Sequence, residues 1–276
     1  MTYHNALKYL ASAPTYAQED RPNERLRYLL FLLHDPHKTM RYLRLAGSSG
    51  KTICGTMLSE IFQRTELSVG TVVTSEDKDP RLAIRVGTKS ISMEQVCHYF
   101  SQIHAMVVAL KKSVTEQNQT EADAKETVDR AENEHPPIPE SIADGTVPFE
   151  PTASEIILMA ALLYFRDQNC SLCVIESNHK GVDPSVALPT PLSVVICGTV
   201  PKGDTAELAY VQRYVQNGIR EIVSAPQDGD AYRWLSNACA SVHCRLSIPV
   251  KASFQLQAQQ ALKFHQQIRA HRLYRI

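Results

Sequence analysis

The sequence predicts an α/β fold, a mostly parallel sheet flanked by helices, and three observations predict it. Short apolar runs of strand length recur at MRYLRLAG (40–47), SVGTVVTS (68–75), SLCVIES (171–177) and LSVVICG (192–198). Segments with helical apolar spacing separate them, and strands alternating with helices imply parallel strands covered on both faces. The chain is also large enough, at 276 residues and 43% hydrophobic, to bury a substantial core.

The elements follow in order. Residues 5–12 and 22–34 carry apolar residues at helical spacing, with Pro22 suited to a first turn. After the strand at 40–47, KTICGTMLSEIFQRT (51–65) reads as a helix with Ile53, Met57, Leu58, Ile61 and Phe62 on one face. The strand at 68–75 and a long amphipathic helix at 92–112 come next. Residues 113–148 then break the pattern. From Lys111 to Glu150 there are ten acids against four bases, with prolines at 136, 137 and 139. Such a stretch buries too little surface to offset its ordering entropy, so a mobile acidic insertion is expected, with a partner-binding segment as the alternative.

Order resumes at PTASEIILMAALLYFRDQ (151–168), a helix starting on Pro151 and Thr152 and burying a broad apolar face. DTAELAYVQRYVQNG (204–218) is a helix capped by Asp204 and closed by Gly218. REIVSA, DAYRWLSNACASV and RLSIPV alternate strand, helix and strand up to residue 250, completing one expected domain over 1–250. QLQAQQALKFHQQIRAHRL gives a last helix within 251–276.

Composition narrows the function classes. Lysine plus arginine equal aspartate plus glutamate at 29 each, which gives no support to a sequence-independent nucleic-acid binder. No run of about 18 apolar residues exists, so no membrane span is expected. The opening MTYHNALKYLASAP lacks the basic-then-apolar order of a signal peptide. Seven scattered cysteines read as reduced thiols of a cytoplasmic protein. Cys170 and Cys173 form a C-x-x-C, but no second pair or nearby histidine completes a zinc site, and the pair falls at the start of an apolar strand.

The chemistry concentrates after the first strand, in Gly47-Ser48-Ser49-Gly50-Lys51-Thr52. Glycines let the chain fold tightly so that successive N–H groups point inward, and a helix N-terminus adds the positive end of its dipole. Lys51 would supply a cation to the outer phosphates, and the Thr52 hydroxyl a ligand to magnesium. The spacing is G-x-x-G-K-T; Leu45 stands where the first glycine of the commoner, longer loop would fall. Glycine-rich turns also join strands to helices without binding anything. Here strand, turn, lysine, threonine and helix coincide, so nucleotide phosphate binding is the expectation. Glu176, at the C-terminal end of the run CVIE, lies where parallel sheets place ligands, and it reads as a magnesium ligand, direct or through water. A solvated loop acid or a helix-cap partner is the alternative. His179 reads as an exposed loop histidine.

These residues resemble folylpolyglutamate synthase, a member of the Mur ligase family. NALKYLASAP and NERLRYLLFLLHDPHKTMRYLRLAGSSGKT resemble that family's lead-in to its phosphate loop, A-G-T-N-G-K-G/S. IRVGTKSIS (84–92) resembles its hairpin and following helix start, and PTASEIILMAALLYF its P-T-x-F-E helix, with Glu155 in the matching place. VIESNHKGVDPSVALPTPLSVVICG (174–198) resembles the strand, glycine-rich loop and next strand that carry its metal-binding glutamate.

The resemblance implies a P-loop-type, Mur-ligase-like ATP-binding domain using ATP and Mg. In that family ATP phosphorylates a carboxylate, and the amine of glutamate displaces phosphate. Carried over, Gly47, Ser48, Ser49, Gly50, Lys51 and Thr52 would bind nucleotide, Lys51 would act in catalysis, and Thr52 and Glu176 would hold metal. A folate-like carboxylate and glutamate would be the partner substrates, and a protein partner is conceivable.

The departures are equally specific. TVPKGDT follows LSVVICG where the family has an Asp-His whose histidine holds metal. Gln216 takes the place of a lysine that the family carbamylates, and an amide cannot form a carbamate. Ser75-Glu76-Asp77 replaces the family's S-P-H, and Ser177-Asn178-His179-Lys180-Gly181 its glycine-rich loop. Residues 251–276 resemble the opening helix of the family's C-terminal domain and are expected to be a remnant of it. The expectation is therefore an ATP-binding protein of this amide-ligase family with impaired or lost ligase activity. Two alternatives stay open: a working or split folate–glutamate ligase completed by another chain, and an interaction protein with a vestigial phosphate loop.

Overall fold

The protein, seen in a computed structural model, is described over residues 1–16, 22–47, 49–74, 79–123, 138–176, 187–200, 211–212 and 214–249. It divides into two compact units, one of residues 1–41 and 68–189, the other of residues 42–67 and 190–276.

The first unit holds helices α1 (Tyr3–Ala11) and α2 (Pro22–Leu32), strand β2 (Val69–Val73), the short helix α4 (Pro80–Ala83), strands β3 (Ile84–Val86) and β4 (Lys89–Ser90), helices α5 (Met93–Asp123), α6 (Glu140–Ala143) and α7 (Ala153–Asp167), and strand β5 (Leu172–Glu176). Its strands run in the order β4-β3-β2-β5. β2 and β5 are parallel, and β3 and β4 form an antiparallel hairpin on the far side of β2. The hairpin and the helix after it match the expectation for residues 84–92.

Helix α7 organises this unit. Every residue from Ser154 to Phe165 is buried, so the helix is enclosed on all sides rather than on one broad face. It packs on β2 and β3, with α5 and α1 against it. Gly70 of β2 lets α7 approach closely: a Cβ there would lie 2.5 Å from the Phe165 ring. The start of α7 is fixed by a capping box. The Thr152 hydroxyl accepts the Glu155 N–H at 3.3 Å, and Glu155 accepts the Thr152 N–H at 2.7 Å.

Glu155 has a second task. It receives Nη2 and Nε of Arg25 at 2.9 and 3.2 Å, with both side chains almost wholly buried. Arg25 also donates to the Pro148 carbonyl at 3.3 Å and lies 4.7 Å from the centre of the Tyr16 ring. One buried ion pair thus ties α2, the chain before α7 and the α7 cap together.

The second unit contains β1 (Arg41–Ala46, from Tyr42 on), α3 (Lys51–Gln63), β6 (Ser193–Ile196), β7 (Glu221–Ser224), α8 (Gly229–Ser241) and β8 (Arg245–Ser247). Its strands are all parallel in the order β1-β6-β7-β8, with Ala46 opposite Ile196 and Ile196 opposite Ser224. The mostly parallel mixed sheet flanked by helices is the predicted fold class. Residues 214–216 are helical, and Gly218, at φ +78°, ends that helix as expected, with Ile219 N–H returning to the Tyr214 carbonyl. Asp204 and the segment 251–276 lie outside the described residues.

Two expectations differ from the structure. The acidic stretch is ordered at both ends: α5 continues to Asp123 with Val114 buried, and Ile142 and Val147 are buried around α6. Charge averaged over 113–148 hid these apolar anchors; residues 124–137 between them lie outside the described residues. In α3, Ile53, Met57 and Ile61 are 65, 60 and 47% exposed, while Gly55, Ser59 and Phe62 are buried. The two sets lie on nearly opposite sides of the helix. Of the residues read onto one face, Phe62 is buried as expected, whereas Ile53, Met57 and Ile61 lie on the opposite, exposed side.

Removing one partner of the buried pair leaves an uncompensated charge. Glu155→Ala should therefore lower stability by about 3–5 kcal/mol, against roughly 1 kcal/mol for Thr152→Ala, which removes only a cap bond. Urea unfolding of the two variants checks the ranking.

Candidate nucleotide site

The turn between β1 and α3 is shaped by two glycines with positive φ, Gly47 at +105° and Gly50 at +79°. Their constraints differ. A Cβ on Gly47 would lie 1.9 Å from the carbonyl oxygen of Cys197, the residue after β6, whereas a Cβ on Gly50 would meet nothing within 4 Å. The Cys197 N–H donates to the Ala46 carbonyl at 2.7 Å, so the end of β6 closes directly onto the residue before the turn. Gly47 is required by contact and conformation; Gly50 by conformation alone.

Lys51 opens α3, and its Nζ turns back to the Gly47 carbonyl at 2.5 Å, spanning the turn. Gly50 caps the helix without a side chain, and no acidic residue stands in the first turn of α3. The positive end of a 13-residue helix and an ammonium group therefore sit together at one bend. Ser49, Gly50 and Thr52 are exposed, Lys51 is half-buried, and Ser48 lies outside the described residues. The Thr52 carbonyl accepts the Thr56 hydroxyl at 2.8 Å, an ordinary intrahelical bond.

Glu176 is placed in the first unit, as the last residue of β5, and is buried. Its carbonyl accepts both the N–H and the hydroxyl of Thr74, at 3.3 and 3.2 Å. The chain beyond it, including His179, lies outside the described residues. Gln216 is exposed on its helical stretch. Cys170 and Cys173 are buried at β5, where burial pushes the Cys170 thiol up and the Ser68 hydroxyl contacts its sulfur at 3.4 Å.

One relation at the turn was invisible in the sequence: Cys197, at the end of β6, acts on the Cys54 thiol of α3. A hydrogen bond from Cys197 holds the Cys54 thiol below its ordinary value, against the opposing effect of burial. Only the β1–β6 register brings these residues together, and no local motif encodes it. Among the described residues, no helix is long and apolar enough to cross a membrane.

No protein-family model matches the chain. By sequence it is 28% identical over 218 residues to a "probable bifunctional folylpolyglutamate synthase/dihydropteroate synthase" of Haloferax volcanii, covering 76% of this chain and 22% of that one. By structure it matches folylpolyglutamate synthase of Thermotoga maritima with a TM-score of 0.65 at 20% identity, over 91% of this chain and 52% of that one. It also matches a folylpolyglutamate synthase complex with AMPPCP and folate, with a TM-score of 0.67 at 20% identity, over 90% of this chain and 54% of that one. The chain thus spans about half the length of these solved structures. The resemblance to folylpolyglutamate synthase and the Mur ligase family is borne out, and the fold with it.

Gly47→Ala forces a side chain into the Cys197 carbonyl and into a left-handed conformation. It should cost roughly 2–5 kcal/mol, the sum of an overpacking and a conformational penalty. Gly50→Ala meets only the second and should cost about 1–2 kcal/mol. Denaturant midpoints of the two variants check the difference.

Proposed function

Taking the chain as a relative of folylpolyglutamate synthase in sequence and fold, we propose that it binds Mg-ATP at residues 47–52 and that its ligase activity is impaired or lost, leaving a nucleotide-dependent regulatory or scaffolding partner. The carrying observation is the turn itself, where a strand end, two left-handed glycines, a helix N-terminus and the Lys51 ammonium converge. Backbone N–H groups of the turn would bind phosphate oxygens, and Lys51 would exchange the Gly47 carbonyl for the outer phosphates. Thr52, at the start of α3, carries a hard oxygen donor suited to magnesium, which would supply charge neutralisation at the phosphates, and the Glu176 carboxylate, in the other unit, is a donor of the same kind. The solved relative with AMPPCP and folate supports the nucleotide assignment by analogy.

Loss of ligation follows from residue chemistry. Gln216 cannot form the carbamate that the resemblance calls for, and TVPKGDT offers no histidine. Each missing electrostatic stabiliser raises a barrier by about 2.7–4 kcal/mol, so two absences would slow turnover by several orders of magnitude.

Calorimetric titration of Mg-ATP should show binding to the native protein and roughly 10- to 100-fold weaker binding to Lys51→Ala, as charge-assisted hydrogen bonds of about 1.5–3 kcal/mol require. Equal heats from both proteins would remove the nucleotide assignment. With ATP, a reduced folate and glutamate, no ADP should form above background. Glutamate-dependent ADP formation would instead establish a working ligase.

A further inference from the structure

We propose that the exposed stripe of α3, formed by Ile53, Met57 and Ile61, is the docking face for this chain's own C-terminal segment, with residues 254–268 lying along it as an amphipathic helix. The three side chains recur four residues apart, so they stand in line over two turns, and they are about half to two-thirds exposed. Single apolar side chains at a surface are ordinary, whereas a contiguous row marks a contact.

Area selects the occupant. Three such side chains present on the order of a few hundred Å², against ~800 Å² per partner in a stable complex of separate chains. A tethered segment needs less, because its linker holds it at an effective concentration on the order of millimolar.

The route is short. β1, β6, β7 and β8 are parallel neighbours in that order, so β8 ends at the same edge of the sheet at which α3 begins. Three strand spacings separate β1 from β8, roughly 14 Å, and the five residues 249–253 reach about 17 Å when extended. As a helix, residues 254–268 then cover about 22 Å, enough to run the length of the 13-residue α3.

The segment's sequence suits that face. In helical projection Phe254, Ala258, Ala261, Leu262 and Ile268 share one side, and Gln259, Gln260, Lys263 and Gln267 the other. The small Ala258 and Ala261 leave room for the large Met57 and Ile61. Residues 251–276 contain five bases and no acid. Running this way, Arg269, Arg272 and Arg275 reach the C-terminal end of α3, where the helix dipole is negative and Glu66 is exposed. Ile53 stands two residues beyond Lys51, so docking would also hold the turn of α3 that carries the ammonium. The docking rests on the exposure of α3 and not on the nucleotide reading.

The full chain carrying p-benzoylphenylalanine in place of Met57 would be irradiated at low micromolar concentration, digested, and its peptides weighed. The expected product is an intrachain link from position 57 to a peptide within 254–268. Amides of residues 57–61 should exchange at least fivefold faster in Ala261→Glu, which sets a carboxylate in the contact, and at the native rate in Lys263→Glu, which alters the opposite side. A link between two chains would assign the stripe to a second copy and overturn the proposal. No link to 254–268 would also overturn it, as would unchanged exchange in Ala261→Glu or equal acceleration by the two variants.

Discussion

The Cys197 carbonyl and Gly47 cannot both have a side chain's worth of space between them, and the second unit is built around that contact. β6 pairs with β1 in parallel, so its end arrives beside the end of β1, and its next residue closes onto Ala46. The chain leaving β1 must therefore turn at once, in a conformation open to glycine. That turn delivers Lys51 as the first residue of α3. Strand pairing, turn geometry and the position of the ammonium form one causal sequence, starting from a clearance of 1.9 Å to an ideal Cβ.

The first unit depends on a different device. α7 is apolar on every side and would slide or rotate freely if hydrophobic burial alone placed it. Polar contacts at its start remove that freedom. Glu155 caps the helix through Thr152 and pairs with Arg25, which also holds the Pro148 carbonyl. A buried ion pair is a poor source of net stability, since desolvation offsets much of its Coulombic gain. Its geometric value is greater: the paired fork of Arg25 accepts one orientation of Glu155, and hence one register for α7.

Much of this was legible in the residues. Continuous apolar runs marked the core strands, Thr152 with Glu155 marked a helix start, and Gly47 to Thr52 marked the bend, because each is a local signal with a local cause. What stayed hidden depends on partners distant in sequence. Arg25 reads as one of two arginines in an amphipathic helix until Glu155 is placed against it. Ile53, Met57 and Ile61 read as core until Gly55 and Ser59 are seen to form the packed side. The acidic stretch misled for a third reason: Val114, Ile142 and Val147 are too sparse to register against ten carboxylates, yet three buried apolar side chains suffice to anchor its ends.

The self-contact of Lys51 bears on what the turn is suited to hold. An ammonium at a helix N-terminus faces a partial positive charge of roughly half a unit, and both repel a further cation. The Gly47 carbonyl relieves part of this as a neutral acceptor. An anionic oxygen at the same point would serve better, because a hydrogen bond to an ionised acceptor is roughly twice as strong as one to a neutral group. No acid stands in the first turn of α3 to supply that charge internally. A phosphate would thus add an ionised acceptor where an ammonium and a helix N-terminus already stand together.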